Sequence, residues 1–428
     1  MAEIFTAASI GDLKRIKEIV KQFIDQFGEQ RAKELLRAEG LTGRTILHIA
    51  ASGGRTPICR YLVETVKIDI NIKDSRGFTP LHHAILGGHF MTSSFLLDHG
   101  ADPNMTCNAG LAPLHYAAKN GKKEQVKLLL TKGAEVDVPS SSKGTPLRFA
   151  AAYSMKDAVK ILLEHKANPN YTNHPILNPL IVAILENSID CVRLLLKHGA
   201  DPNLGFLGEK PLIVSVNEGH IDIMKCLLRA GADPNVTNFC DLTPIEIAAV
   251  EGNLAIVNAL FDVTARIPHI PTWSILGIHE YVNSNGAKDQ RKLKSEIKFL
   301  EAKANGAQAI RTDDYMTAVC WFTEGMRVKP TDATSFSNRS LCWSRLHKRT
   351  LALSDADLCI RLRPDWFMGH YRAGVAYMMF KDYKNAEAAF RTACKCAPLN
   401  QDLKDAYSMA LAYIQAPPTD DFSRLSVD

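Results

Sequence analysis

The 428-residue sequence contains no run of about 20 consecutive apolar residues, so we expect no membrane-spanning helix and no membrane insertion. Residues 1–10 lack the basic start and apolar stretch of a secretory signal. The ten cysteines include no Cys-x2-Cys pair, which argues against a structural zinc site and, without a secretory signal, favours reduced thiols. We therefore expect a cytoplasmic protein without a bound metal, and leave a nuclear population open.

Strong charge and the common catalytic motifs are also missing. The formal net charge is only +5, whereas binding to nucleic acid usually needs a denser basic surface. The sequence has no Gly-x4-Gly-Lys-Ser/Thr loop, no His-Glu-x2-His and no Gly-x-Ser-x-Gly. The basic residues Arg345, Lys348 and Arg349 are interpreted as a solvated helix-turn surface. These absences argue against an enzyme, a cofactor site and a nucleic-acid partner.

A block similar to Thr-Pro-Leu-His recurs every 32 to 34 residues through the first part of the chain. Its second residue lies at Ile46, Pro80, Pro113, Pro146, Pro179, Pro211 and Pro244. A second block, Gly-Ala-Asp-Pro-Asn, follows in phase at residues 100–104, 199–203 and 231–235. Proline suits the first turn of a helix and glycine the end of one, so each repeat predicts a helix, a turn and a second helix.

This pattern resembles the ankyrin repeat. We expect an ankyrin-repeat domain over residues 1–273, with residues 1–40 as an N-terminal cap, because a terminal repeat needs a polar outer face. His48, His82 and His115 belong to the repeat signature, and the resemblance implies that their imidazoles form hydrogen bonds across neighbouring loops.

From about residue 297 the period becomes 34, closed by Pro330, Pro364 and Pro398. Tyr-x2-Ala-x3-Phe recurs at residues 315–322 and 383–390, and this part resembles the tetratricopeptide (TPR) repeat. The predicted fold is all-α: an ankyrin-repeat solenoid followed by a three-repeat TPR superhelix with a C-terminal capping helix at 399–415. The predicted boundaries are a connector with a short helix at 274–296, a TPR domain at 297–416 and a flexible tail at 417–428.

Ser337-Asn338-Arg339-Ser340 resembles the TPR subclass that grips the C-terminal Glu-Glu-Val-Asp of Hsp70 or Hsp90. Carried over position by position, that resemblance implies peptide contacts at Lys303, Asn338 and Arg372. The sequence departs from the motif at two further positions, where Ala307 replaces an asparagine and Met368 a lysine. Cations and an amide around a terminal carboxylate would form charge-assisted hydrogen bonds, and losing two of these groups would weaken binding.

In the ankyrin family, partners contact the hairpin tips and the exposed ends of the first helices. The equivalent tip positions are Arg76, Phe78, Asn108, Leu111, His174, Phe206, Leu207 and Phe239, and the helix-end positions are Leu86, Lys119, Asn120, Tyr153, Leu185, Asn217 and Glu218. Phe206, Leu207 and Phe239 would form an apolar patch on neighbouring tips. The alternative interpretation is that irregular hairpins fold these side chains onto an adjacent repeat.

An ankyrin solenoid joined to a C-terminal TPR module resembles a family of plant co-chaperone-like proteins. The resemblance implies a non-catalytic adaptor whose TPR groove binds a C-terminal peptide, such as the Hsp70 or Hsp90 tail, and whose ankyrin surface binds a client that the sequence does not identify. The alternative is a signalling scaffold or inhibitor whose altered groove binds a partner other than a chaperone.

Overall fold

The computed structural model describes residues 2–36, 42–140, 144–171 and 178–415. Within these ranges the chain forms helices and no β-strand, which confirms the all-α prediction. The chain divides into two compact units. The first extends to Gly205 and includes Glu209–Val236 and Asn253–Thr264, whereas the second comprises Phe206–Gly208, Thr237–Gly252 and the described residues from Ala265.

The first seventeen helices are short and mostly paired. They are α1 Ala2–Ile10, α2 Leu13–Phe27, α3 Glu29–Leu36, α4 Ile46–Ser52, α5 Thr56–Arg60 (continued by a π-helical turn, Tyr61–Thr65), α6 Pro80–Leu86, α7 Phe90–Asp98, α8 Pro113–Lys119, α9 Lys123–Thr131, α10 Pro146–Ala152, α11 Lys156–Glu164, α12 Pro179–Leu185, α13 Ile189–Lys197, α14 Pro211–Asn217, α15 Ile221–Arg229, α16 Pro244–Val250 and α17 Leu254–Phe261. Helix α16 belongs to the second unit and the others to the first. From α6 the first helix of each pair begins at the proline of the recurring block, as predicted.

The histidine of the recurring block connects each repeat to the next. In His82, Nδ1 accepts the backbone N–H of Thr79 at 3.2 Å and Nε2 donates to the carbonyl oxygen of Leu111 at 3.1 Å. His48 and His115 form the equivalent bonds. Burial lowers the pKa of all three imidazoles to about 4, so they stay neutral and keep these bonds near neutral pH. The predicted hydrogen bonds across neighbouring loops are confirmed.

The asparagine that ends the Gly-Ala-Asp-Pro-Asn block joins successive turns. Asn203 accepts the backbone N–H of Asp233 at 2.9 Å and donates to the carbonyl oxygen of Gly231 at 3.0 Å. Asn104 binds the following turn in the same way, and so does Asn170, which ends the related sequence Lys-Ala-Asn-Pro-Asn at residues 166–170. Because one side chain satisfies two backbone groups of the next repeat, the block recurs in register with the helices.

The second unit continues with longer helices. They are α18 Ile275–Asn283, α19 Asn285–Arg311, α20 Tyr315–Val328, α21 Ala333–Arg345, α22 Arg349–Leu362, α23 Phe367–Met379, α24 Tyr383–Cys396 and α25 Gln401–Gln415. Helices α19 to α24 pack as three successive pairs, and α25 packs on α24. Gly306 faces the ring of Phe322 and Gly374 faces that of Phe390, so the absence of a side chain lets the two helices of a pair approach closely.

The predicted connector at 274–296 is largely helical. Ser284 lies between α18 and α19, and its hydroxyl accepts the backbone N–H of Ala287 at 3.3 Å, which starts α19 twelve residues before the predicted boundary at 297. Residues 285–288 are therefore the first turn of a 27-residue helix. The predicted tail at 417–428, residue 416 and His174 lie outside the described residues.

Candidate peptide-binding site

The five residues predicted for peptide binding lie on the first helices of the three C-terminal pairs. Lys303 and Ala307 are one turn apart on α19, Asn338 is on α21, and Met368 and Arg372 are one turn apart on α23. Helices α21 and α23 contact each other directly. We refer to these five residues as the candidate site.

Lys303 already has an acidic partner. Its Nζ lies 3.3 and 3.4 Å from the two carboxylate oxygens of Asp332, which also caps α21 by accepting the backbone N–H and hydroxyl of Ser335. Burial raises the pKa of Asp332, but the bonds from Ser335 and the charge of Lys303 outweigh it, so the pKa lies below its usual value. An incoming carboxylate would have to share Lys303 with Asp332.

Arg372, unlike Lys303, has no acidic partner among the described residues. It is only 8% exposed, and within the described residues its Nε has no hydrogen-bond partner and its guanidinium has no ion pair. The guanidinium lies 5.6 Å from the ring centroid of Tyr371, and burial lowers the pKa of Arg372. A buried cation without an anion is unfavourable, so Arg372 is the strongest candidate in this site for binding one.

Helix α21, which contacts the helix of Arg372, carries polar groups of its own. The hydroxyl of Ser337 is buried and, among the described residues, has no hydrogen-bond partner. The amide of the next residue, Asn338, is partly exposed. One turn later, burial raises the pKa of the Cys342 thiol to about 12, although the positive charge of Arg372 acts in the opposite direction. Helix α21, which contacts α23, therefore carries an amide and an unused hydroxyl.

Arg345 is a basic residue that the sequence analysis assigned to a solvated surface. It is only partly exposed, and its charge contributes to lowering the pKa of Arg372 and acts on Tyr371 in the same way. Its position seven residues after Asn338 places both on one face of α21, and this spacing could have identified it. Arg345 adds positive charge near Arg372 where Met368 has replaced a cation of the motif.

Met368 and Ala307 are the departures from the clamp motif, and both present apolar surface. Met368 is partly buried and packs against the core cluster that contains Tyr371 and Phe390. Ala307 is partly exposed one turn after Lys303. The candidate site therefore combines one uncompensated buried cation with apolar contacts.

The predicted partner surface of the first unit is present at some positions and not at others. Leu86, Tyr153 and Arg76 are exposed, and Nζ of Lys119 lies 4.7 Å from the ring centroid of Tyr153. Asn120 is partly exposed as the residue that ends α8. These side chains are available to a partner.

Phe78 is buried, so the prediction that it is an exposed tip residue is wrong. Its ring packs edge-on against Tyr116 at 5.6 Å and clusters with Cys107, Leu111 and Phe149. The tip prediction for Leu111 is wrong for the same reason. The hairpin places these side chains between consecutive repeats, where burial stabilises the stacking.

The Phe239 side chain also packs against residues of its own unit, so the prediction that it belongs to an exposed apolar patch is wrong. Its ring centroid lies 6.1 Å from that of Trp321 on α20, and Nζ of Lys298 lies 5.7 Å from it. Phe206 and Leu207 are partly buried. Sequence reasoning could not anticipate this contact because Trp321 is 82 residues away in a different kind of repeat.

Neither a metal site nor a membrane span is found in the part of the chain that the structure describes. No group of three or more His, Cys, Asp and Glu side chains there is arranged to bind a metal ion. No described helix combines the length and the apolar character that crossing a bilayer requires.

Comparison with known proteins gives one matching family model and several curated relatives. A family model that describes three consecutive ankyrin repeats matches four overlapping ranges, residues 4–107, 95–173, 114–206 and 180–269. The Hsp70-Hsp90 organizing protein of Triticum aestivum is 32% identical over 118 residues, which is 28% of this chain and 20% of the relative. Hsp70-Hsp90 organizing protein 2 of Arabidopsis thaliana is 36% identical over 105 residues, 24% of this chain and 18% of the relative. Each match spans about a fifth of the relative's length.

Among solved structures, the human ASB11 ankyrin repeat domain has 26% sequence identity and a TM-score of 0.47. It covers 52% of this chain and 100% of that structure. The ankyrin repeat domain of Bcl-3 has 27% identity and a TM-score of 0.46, covering 51% and 99% respectively.

Proposed function

This chain belongs to the ankyrin-repeat family, and on that premise we propose that it is a non-catalytic, cytoplasmic, co-chaperone-like adaptor. Its C-terminal helices bind the acidic C-terminus of a partner, and its ankyrin surface binds a client. The Hsp70 or Hsp90 tail is the proposed C-terminal ligand, in keeping with the names of the plant relatives.

The observation that supports this proposal best is the buried guanidinium of Arg372. A terminal carboxylate would give it the anionic partner that the described residues do not provide, and such charge-assisted hydrogen bonds contribute about 1.5 to 3 kcal/mol each. Asn338 and Ser337 would donate to the same carboxylate or to the peptide backbone. Arg345 would attract the acidic side chains that precede the terminus.

The ankyrin surface would hold the second partner. Leu86, Lys119, Asn120 and Tyr153 place apolar, cationic and amide groups on the exposed ends of consecutive first helices, with Arg76 on a neighbouring tip. Holding a client and a chaperone tail on one chain raises the local concentration of each near the other.

The experiment is a titration of the full chain with an acetylated peptide ending in Met-Glu-Glu-Val-Asp, beside the same peptide amidated at its C-terminus. We expect a dissociation constant on the order of micromolar for the free acid, and binding at least about tenfold weaker for the amide. Equal binding of the two peptides, or no binding of either, would contradict the proposal.

The alternative is a signalling scaffold or inhibitor whose candidate site binds a different peptide. Two observations favour this alternative: Met368 and Ala307 present apolar surface, and Lys303 already forms an ion pair with Asp332. A peptide ending in apolar residues before a free carboxylate separates the two proposals. Tighter binding of that peptide than of Met-Glu-Glu-Val-Asp would support the scaffold.

A further inference from the structure

Helix α19 has a row of large apolar side chains that face solvent. Leu293, Ile297 and Leu300 are 64%, 55% and 63% exposed, on three successive turns. The opposite face of the same helix is packed, since Phe299, Ala302 and Gly306 are buried. Single exposed apolar residues are ordinary on protein surfaces, but a continuous row on one helix indicates an interaction surface.

The spacing of this row, hereafter the α19 seam, is that of a helix–helix contact. Steps of four and three residues keep the three side chains within about 60° of one another around the helix axis, because each residue turns the helix by about 100°. The same 4–3 spacing lines the contact between two paired helices. The α19 seam therefore fits an amphipathic helix better than a flat surface.

Charges beside the α19 seam indicate which helix it fits. Lys294 and Glu301 are exposed and flank the seam on the same side. If two copies of α19 cross antiparallel at Ile297, Lys294 of one copy faces Glu301 of the partner subunit, and the reverse pair forms at the other end. In a parallel pair, the two Lys294–Glu301 flanks lie on opposite sides of the contact, so these charge pairs do not form. The Lys294–Glu301 pairs therefore form in the antiparallel direction.

We infer that the α19 seam is a self-association surface through which two copies of this chain pair antiparallel. Leu293, Ile297 and Leu300 of each copy form the apolar contact, and Lys294 and Glu301 fix its direction. The candidate peptide site lies farther along the same helix, at Lys303 and Ala307. The inference does not depend on what that site binds.

Three side chains per copy form a small contact, so the association is weak and reversible. We expect a dissociation constant on the order of 10 µM, in the range of transient interfaces. Sedimentation velocity on the full chain at concentrations on both sides of this value measures it. Ile297→Arg should give a monomer, whereas Leu399→Arg, at a still more exposed leucine outside the seam, should still associate.

A charge exchange tests the antiparallel direction. Lys294→Glu alone and Glu301→Lys alone should each weaken the dimer at least about tenfold, because like charges then face each other at both ends. Mixing these two single variants should restore a dimer, since each glutamate then faces a lysine. The double variant Lys294→Glu/Glu301→Lys should also associate like the unaltered chain.

Far-UV circular dichroism and thermal melting of every variant serve as the folding control, because Glu301 also forms an ion pair with Lys298 at 3.3 Å. A chain that stays monomeric at ten times the expected constant overturns the inference, and so does association that Ile297→Arg leaves unchanged. Mixed single variants that remain monomeric, while the unaltered chain dimerises, overturn the antiparallel arrangement. None of these outcomes depends on peptide binding.

Discussion

Glu324 is a carboxylic acid on α20 that is buried in the second unit. It is 3% exposed, and within the described residues its Oε1 accepts no hydrogen bond. The nearest guanidinium nitrogen, Nη1 of Arg327, lies 3.9 Å from Oε1, which is too far for a hydrogen bond. Burial raises the pKa of Glu324 from 4.5 to about 7.

This pKa makes folding stability depend on pH in a defined direction. Between pH 4.5 and about 7, Glu324 keeps its proton in the folded chain but has lost it in the unfolded chain. The contribution of this protonated side chain to the free energy of unfolding is therefore fully present below pH 4.5 and is lost as the pH rises through about 7. One pKa unit corresponds to about 1.4 kcal/mol, so the ionised side chain costs up to about 3 kcal/mol above pH 7. Structural relaxation around the charge reduces this, and we expect about 2 kcal/mol.

The perturbation is Glu324→Gln, which keeps the shape and removes the ionisation. Urea unfolding should give similar free energies for the two proteins near pH 5 and a variant more stable by about 2 kcal/mol near pH 8. The buried histidines act in the opposite direction at acid pH, but they are common to both proteins and cancel in the difference.

Glu387→Gln is the matched control, because Glu387 is also buried but accepts hydrogen bonds from Arg391 at 2.6 to 2.9 Å. That variant should not become more stable near pH 8. A Glu324→Gln variant whose stability difference from the unaltered chain is the same at both pH values would refute the reasoning.

Two further predictions concern the stability of the same unit: one tests helix packing and the other a buried ion pair. Gly306→Ala places a Cβ 2.7 Å from the Phe322 ring and should lower the free energy of unfolding by about 1 to 3 kcal/mol. The control Gly286→Ala lies in open space on the same helix and should change this free energy by less than about 1 kcal/mol. Equal effects of the two variants in urea unfolding would contradict this prediction. Arg339→Ala leaves the buried Asp355 carboxylate without its two 2.7 Å bonds and should cost about 3 to 5 kcal/mol. A loss below about 1 kcal/mol would contradict that account.

Much of the fold follows from local sequence signals. Proline fixes the start of the repeated first helices, and the recurring His82-type imidazole and Asn203-type amide bind the adjacent repeat at a fixed separation. Each of these contacts involves groups about 30 residues apart, so the period itself predicts them. The early start of α19 was missed because the cap at Ser284 follows a helix that ends one residue earlier.

The candidate site was predictable in residue type and helix position but not in electrostatics. The repeat alignment places Lys303, Asn338 and Arg372 on three first helices, as the structure has them. The ion pair of Lys303 with Asp332 and the influence of Arg345 on Arg372 depend on how neighbouring helices pack, which no local pattern specifies. Phe78 and Phe239 were misplaced for the same reason, because each ring packs against a residue from another repeat.

The most direct test of the account is a double-mutant cycle between Arg372 and the peptide carboxylate. Arg372→Met keeps the volume of the side chain and removes a buried cation, so the free chain should be no less stable than before. Binding of the free-acid and amidated Met-Glu-Glu-Val-Asp peptides is measured for the unaltered chain and for this variant. The account predicts a coupling energy of about 1.5 to 3 kcal/mol between guanidinium and carboxylate, whereas a coupling energy near zero would contradict it.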